Sequence, residues 1–362
     1  MSDKPLVSSV ITFLNTEAFL QEAVESVLAQ THRSLELLLV DDGSTDESTQ
    51  IALRFAERFP KKVRYLEHAG HENRGAAASR NLGLRHARGE YIALLDADDV
   101  WLPHKLEDQV AILDSHPDAG MVYGKSQYWH SWTMNPEDAH RDHVPKLGVQ
   151  TDTLFEPPAL SVLLYPLGRG TAPCPSDLLL RRETVERVGG FEEAFRGMYQ
   201  LYDDQTFLAK VYMNEPVFVA SKCWDRYRQH AEQCVSVVHK AGQYHTVRLA
   251  FLQWLAEYFY AQGVTDTELW KLLQEKQLQT SKKLQDKQSR ADNKRLRAKE
   301  TRIKELEGSL ADERRRAQRL RRQKQGFIQE IQSLDQQLKD VKDSKIWLLL
   351  QVVGRVRARL LR

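Results

Sequence analysis

A doubly wound α/β domain with a mostly parallel sheet, followed by a long helical coiled coil, is the fold predicted for this chain of 362 residues. Three observations predict it. Short apolar runs alternate with segments of helical periodicity, which implies parallel strands joined by crossover helices. Two of those runs end in aspartate clusters, Asp41-Asp42 and Asp96-Ala97-Asp98-Asp99, at the strand ends where such sheets carry their chemistry. From Lys271 onward proline disappears, and from Ile303 apolar residues recur at alternating steps of three and four.

Each element has its own signal. Leu6 to Ile11 is a short apolar run and reads as a buried strand. Glu17 to Ala29 carries Phe19, Leu20, Ala23, Val24, Val27 and Leu28 at helical spacing. Leu35 to Val40 is a second strand, closed by the turn-forming Asp41-Asp42-Gly43-Ser44. Thr49 to Phe59 is a second helix, stopped by Pro60. Val63 to Leu66 is a third strand, Gly75 to His86 a third helix, and Tyr91 to Leu95 a fourth strand. Residues 125 to 175 mix Tyr128, Trp129, Trp132 and Tyr165 with Pro, Gly and charge. That segment reads as loop-rich, either a binding surface or ordinary aromatic packing. Leu178 to Leu180 and Val217 to Ala220 are further short strands, and Phe251 to Tyr260 an aromatic helix packed on the domain.

The expected organisation is a sheet domain over 1–245, a helical extension over 246–270, a coiled coil over 271–345 and an amphipathic basic tail over 346–362. Ten of twelve consecutive core positions between Ile303 and Val341 are apolar; Glu313 and Lys324 are the exceptions. A stripe this narrow suits a homodimeric coiled coil, with parallel pairing the simplest form, against a solvated single helix. In the tail, Ile346 to Leu350 and Val352-Val353 precede Arg355, Arg357, Arg359 and Arg362. This pattern suits peripheral contact with an anionic membrane, or a last coiled-coil turn and a solvated end.

The formal charge is only +2, with 52 Lys and Arg against 50 Asp and Glu. The average hides two halves. Residues 271–362 hold 26 basic and 12 acidic residues, a net of +14, which leaves the first 270 residues at −12. Three cysteines, Cys174, Cys223 and Cys234, are too few and too scattered for a disulfide framework or a zinc site. They read as inert thiols in a reducing compartment. No secretory leader or spanning helix is expected, so the expected location is cytoplasmic, with peripheral contact at the inner face of the plasma membrane. His68, His71, His104, His116, His140 and His143 lack ligand spacing and read as surface residues.

Carboxylates crowded at neighbouring strand ends repel unless a cation or hydrogen-bond donors are present. Few carboxylates together with phosphate oxygens is the pattern for Mg2+ or Mn2+. The acidic strand ends therefore point to a divalent metal and a nucleoside diphosphate substrate. Asp-Asp-Gly-Ser alone would be an ordinary turn; two clusters after two strands are stronger.

Several ordered motifs carry a resemblance. They are Val7 to Asn15, Ala23 to Thr31, Leu39-Val40-Asp41-Asp42-Gly43-Ser44-Thr45-Asp46, Asn73-Arg74-Gly75 with Ala78-Ser79-Arg80-Asn81, and Leu95-Asp96-Ala97-Asp98-Asp99. Arg181-Arg182-Glu183, Val188-Gly189-Gly190-Phe191 and Tyr202-Asp203-Asp204-Gln205 follow. Together, over roughly residues 5 to 235, the chain resembles the inverting family 2 glycosyltransferases with the GT-A fold.

The resemblance implies transfer of a sugar from a nucleotide sugar, most often UDP-linked, to a glycan or lipid-linked acceptor, and a role in bacterial cell-surface polysaccharide synthesis. By position, Thr12, Leu14, Glu17 and Asp42 fall to donor binding, with Asp42 on the base and Asp96 near the ribose or sugar. Arg226 and Arg228 fall to the diphosphate, and Arg74 to phosphate or a plain loop. Asp98 resembles the metal-binding second aspartate of the Asp-x-Asp motif. His230 is either a second metal ligand or a satisfied structural histidine. Asp204 matches the general base, with Asp203 as the alternative. Two positions depart from the family: Leu14 stands where an aromatic often stacks on the base, and Asp203 replaces a glutamate, shortening its reach.

A nucleotidyltransferase can share the sheet and the metal aspartates, and a degenerate sheet domain would leave a non-catalytic coiled-coil scaffold. The acids at 203 and 204 favour glycosyl transfer. Arg314-Arg315-Arg316 and the basic run from Arg319 to Lys324 lie inside the heptads, so nucleic-acid binding is not expected.

Overall fold

The computed structural model describes residues 4–360, which divide into two compact units, one ending at Gln285 and one beginning at Asp286. In chain order the first unit opens with β1 (Val7–Phe13), α1 (Leu20–Leu28), β2 (Leu35–Asp41), α2 (Ser48–Arg58), β3 (Val63–Glu67), α3 (Ala76–His86) and β4 (Tyr91–Asp96). It continues through β5 (Val100–Trp101), α4 (Lys105–Ser115), β6 (Met121–Trp129), β7 (Thr153–Phe155), α5 (Ala159–Leu163), β8 (Leu179–Arg181) and α6 (Arg182–Val188). Next come α7 (Asp203–Asn214), β9 (Val217–Arg228), α8 (Cys234–Lys240), α9 (Tyr244–Ala261) and the start of α10 (Thr267–Asp343).

The sheet runs in the order β3-β2-β1-β4-β8-β6-β9-β5, with β7 also paired to β9. Its first half is parallel: β1 pairs with β2 and β4, and β2 with β3. The second half is mixed, because β8 runs antiparallel to both β4 and β6. Thr12 lies beside Val40 on one side and Asp96 on the other. The carboxyl ends of β1, β2 and β4 are therefore level, and both acidic clusters emerge at one edge.

Both faces of the sheet are buried, and alternate residues of a strand go to opposite cores. Leu37 and Leu39 join the core with α1 and α2; Leu38 and Val40 join the one with α3 and α7. This two-sided burial explains the unbroken apolar run of β2. A third core joins α9 to Tyr202 and takes in Leu269 and Leu273 of α10. The first turns of α10 thus belong to the sheet domain, and the compact unit reaches past residue 270.

Residues 125–175 are loop-rich, as expected, with a few short elements among them. β6 carries Tyr128 and Trp129, and β7 and α5 follow. β9 also outruns the expected Val217–Ala220 by eight residues. Its later part alternates Lys222, Asp225, Arg226 and Arg228 with apolar residues, so no apolar run marks it. In the second unit, α10 continues to Asp343 and α11 spans Lys345–Leu360. Arg362 of the basic tail lies outside the described residues. Among them, no helix is long and apolar enough to cross a membrane.

Candidate active site

A cavity of about 540 Å³ opens at the carboxyl ends of β1, β2 and β4. It brings together Thr12, Leu14, Asp42, Asp96, Asp98, Asp203, Asp204 and His230. Glu17, Arg74, Arg226 and Arg228, expected on the donor, do not line it.

Each aspartate has a different task. Asp41 accepts from the Ser44 backbone N–H, the Thr49 hydroxyl and the Tyr65 hydroxyl, so it builds the turn after β2. Asp42 is 4% exposed and accepts from the N–H groups of Arg74 and Gly75 and from the Ser79 hydroxyl. Gly75 has φ +92°, a conformation glycine alone adopts freely, and this presents two successive N–H groups to one carboxylate. His68 is buried, not a surface residue: its Nε2 lies 2.8 Å from Ser79 Oγ, and burial lowers its pKa. It supports the Ser79–Asp42 contact, a relationship that its spacing from Asp42 does not announce.

After β4, Asp96 meets Arg80 at 2.8 Å. Asp98 Oδ2 lies 2.9 Å from His230 Nε2. Asp99 is fully buried and accepts from the Ser176 hydroxyl at 2.6 Å and the Arg228 N–H at 2.9 Å. Burial, with Asp98 and Asp96 beside it, pushes its pKa well up. Asp99 therefore ties β9 to the β4 end and is not a free ligand.

Arg228 is 3% exposed. Its Nε donates to the Asp98 carbonyl at 2.6 Å and its Nη2 to Glu22 at 2.6 Å. The guanidinium also lies 4.9 Å from the Phe19 ring centre, 4.4 Å from Trp129 and 5.2 Å from Trp132. This cation is boxed in; it orients the segment bearing Asp98 and is not available to a diphosphate. Arg226 sits over Trp129 at 5.2 Å. Glu17 accepts from the Glu47 N–H, so it holds a loop; the Arg74 backbone N–H goes to Asp42, and its side chain is exposed outside the cavity lining.

The acids of α7 divide their roles. Asp203 and Asp204 occupy the first turn, where the helix dipole favours negative charge. Asp203 is buried and accepts from Arg80 Nη1 at 2.7 Å. Asp204 faces the cavity and accepts from the Gln205 N–H at 2.7 Å and its side-chain amide at 3.2 Å. Burial, then the adjacent Asp203, pushes Asp204 up to about 7. Arg80 carries no assigned role in the sequence reading. Its signal is a lone arginine on the apolar side of α3, beside Ala77 and Ala78.

Two groups of side chains could hold a divalent cation. Asp98 and His230 supply an oxygen and an imidazole nitrogen on one edge of the cavity. Asp96, Asp99 and Cys174 also approach one another within 4.8 Å. There, however, Asp99 is already engaged by its two donors, and burial raises the Cys174 thiol well above its usual range. The lining carries six carboxylates against one permanent cation, Arg80, among the described residues.

The fold is an α/β sheet with an acid-lined cavity at the carboxyl ends of its parallel strands. Residues 8–163 match the family described as Glycosyl transferase family 2. Over that segment the chain resembles the family 2 glycosyltransferases. An uncharacterized glycosyltransferase of Nostoc sp. is 34% identical over 182 residues, 50% of this chain and 52% of that protein. One of Rickettsia prowazekii is 27% identical over 256 residues, 70% of this chain and 73% of the relative. The chain thus spans about half the length of the Nostoc relative. The crystal structure of S. aureus TarS 1-349 in complex with UDP aligns at TM-score 0.49 and 20% identity, over 68% of this chain and 64% of that one.

Proposed function

We propose that this chain transfers a sugar from a nucleotide sugar to an acceptor hydroxyl, with inversion at the anomeric carbon. The observation that carries the reading is one cavity holding Asp204 together with the Asp98–His230 pair. Asp204 is the base: a carboxyl raised to about 7 is a stronger acceptor than an ordinary aspartate and still ionises near neutrality. It takes the proton from the attacking hydroxyl. Attack from the face opposite the leaving nucleotide needs no covalent intermediate. Asp98 and His230 would hold Mn2+ or Mg2+, which neutralises charge on the departing diphosphate. Thr12, Leu14 and Asp42 border the donor end, and Asp96 the ribose or sugar.

The acceptor is a glycan or lipid-linked hydroxyl, and the setting is bacterial cell-surface polysaccharide synthesis. α10 forms a homodimer through its apolar stripe, and α11 rests on an anionic membrane surface from the cytoplasmic side. A panel of nucleotide sugars with Mn2+ tests the reaction. Release of nucleoside diphosphate with an inverted product supports it. Pyrophosphate release would instead indicate nucleotidyl transfer, and no turnover with any donor would indicate a scaffold.

A further inference from the structure

We infer that α10 pairs with α10 of a second copy of this chain in antiparallel orientation, in the register that sets Glu313 against Lys324 of the other copy. The inference rests on the homodimer reading above and replaces its parallel form.

The large apolar residues of the stripe, from Ile303 to Val341, are 52–66% exposed in the single chain. A stripe of this length on one continuous helix asks for a partner with the same periodicity. A second copy supplies it. The two breaks in the stripe choose the orientation. Glu313 and Lys324 both stand at core positions, and neither makes an ion pair or hydrogen bond within the chain among the described residues.

A parallel pair in register would face Glu313 with Glu313 and Lys324 with Lys324. Each seam would then enclose two like charges, which partial burial makes worse than at a surface. An antiparallel pair layers the positions at a constant sum of residue numbers. With Glu313 opposite Lys324, Ala317 meets Leu320, Leu310 meets Phe327, Leu306 meets Ile331, and Ile303 meets Leu334. Every one of these layers is apolar against apolar. The next two layers outward set Lys299 against Leu338 and Leu296 against Val341. A slip by one heptad either way puts both charges against apolar residues. Polar core positions are known to specify orientation and register in this manner.

The flanks do not favour the other orientation. Parallel pairing would bring Arg302 near Glu307 but also Arg316 near Arg321 and Glu330 near Asp335, and antiparallel pairing brings Arg314 near Arg321. These rim pairs are solvated and contribute little. The seam charges decide.

Charge reversal separates the two orientations. The full-length chain, E313K, K324E and the double variant E313K/K324E are compared by analytical ultracentrifugation. Antiparallel pairing predicts that either single reversal, by creating like-charge layers, weakens the dimer by more than about 10-fold, and that the double reversal restores it to within about 3-fold. In a parallel dimer, E313K merely exchanges a Glu–Glu layer for a Lys–Lys layer. A dimer whose affinity is unmoved by the single reversals, or not recovered in the double, would overturn the antiparallel register and leave the homodimer standing. A wild-type chain that stays monomeric across the concentration range would overturn the homodimer reading itself.

Discussion

Arg80 reaches Asp203 at 2.7 Å with one guanidinium nitrogen and Asp96 at 2.8 Å with the other. It thereby locks the first turn of α7 to the end of β4. Asp203 is committed to this clasp, and Asp204 is left facing the cavity. Replacing Arg80 with Gln strands two carboxylates at the cavity floor. Removing one partner of a buried pair costs about 3–5 kcal/mol. The expected result is a loss of that size in denaturant unfolding and a turnover loss of at least about 100-fold. Lys retains the charge without the two-pronged reach and should recover only part of either.

Asp204→Asn should retain donor binding and lose about 10²–10⁴-fold in turnover, the usual contribution of a positioned base. Asp203→Asn should instead lower the unfolding midpoint, because its partner Arg80 is left with a neutral amide. Titration of donor binding beside steady-state turnover distinguishes the two. Comparable loss of turnover in both, with equal stability, would exchange their roles.

The pH profile follows from Asp204 at about 7. A base must be ionised, so kcat/KM should rise with pH and level off above about 7. Stability runs the opposite way. The folded-state pKa lies above that of an ordinary aspartate, so the favourable contribution is complete at low pH and is lost as pH rises through 7. Asp204→Asn should therefore gain in thermal midpoint over the parent between about pH 4 and 7, and hold that gap above it. A gap independent of pH would contradict the assignment.

Arg80, the one permanent cation of the lining among the described residues, and Arg228, behind Asp98, are both already paired. Donor phosphate should consequently need the metal. Chelation of divalent ions is expected to abolish nucleoside diphosphate binding in calorimetry, and Asp98→Ala or His230→Ala to do the same. Arg228→Lys and Glu22→Gln, which disturb the support behind Asp98, should weaken Mn2+ binding about 10–100-fold, read by electron paramagnetic resonance. Metal-independent diphosphate binding would reassign a cation to the phosphates.

α11 combines exposed Ile346, Leu348 and Leu349 with Arg355, Arg357 and Arg359. Flotation with anionic vesicles should lose the protein when residues 346–362 are removed, and should weaken as salt rises. Neutral vesicles are expected to bind less. Equal flotation after truncation would remove the membrane role.

β2 and β4 were legible from the apolar runs Leu37–Val40 and Tyr91–Leu95, buried on both faces, while β1 carries Ser8 and Ser9 inside its run and the half-buried β3 carries Arg64. The aspartates after β2 and β4 were legible for a related reason: they are abrupt charges at the end of an apolar run. β9 was legible only as far as Ala220, since Lys222, Asp225, Arg226 and Arg228 interrupt the pattern while the backbone pairing continues. Arg228 shows the other limit. A basic residue near a metal motif reads as a phosphate ligand, yet its partner Glu22 lies 206 residues away in the chain.

By itself, then, the sequence determined the alternation of strands and helices, the acidic strand ends, the family resemblance, and the heptad stripe with its two charged breaks. All of these are encoded in local spacing. The tertiary structure alone decided which aspartate is free to act. Asp41, Asp42, Asp99 and Asp203 are engaged by donors that build the fold around them, while in the cavity Asp204 accepts from the adjacent Gln205 and Asp98 meets His230. Identical side chains differ in function here because burial and long-range partners set their ionisation and their availability, and those partners come together only when the chain is folded.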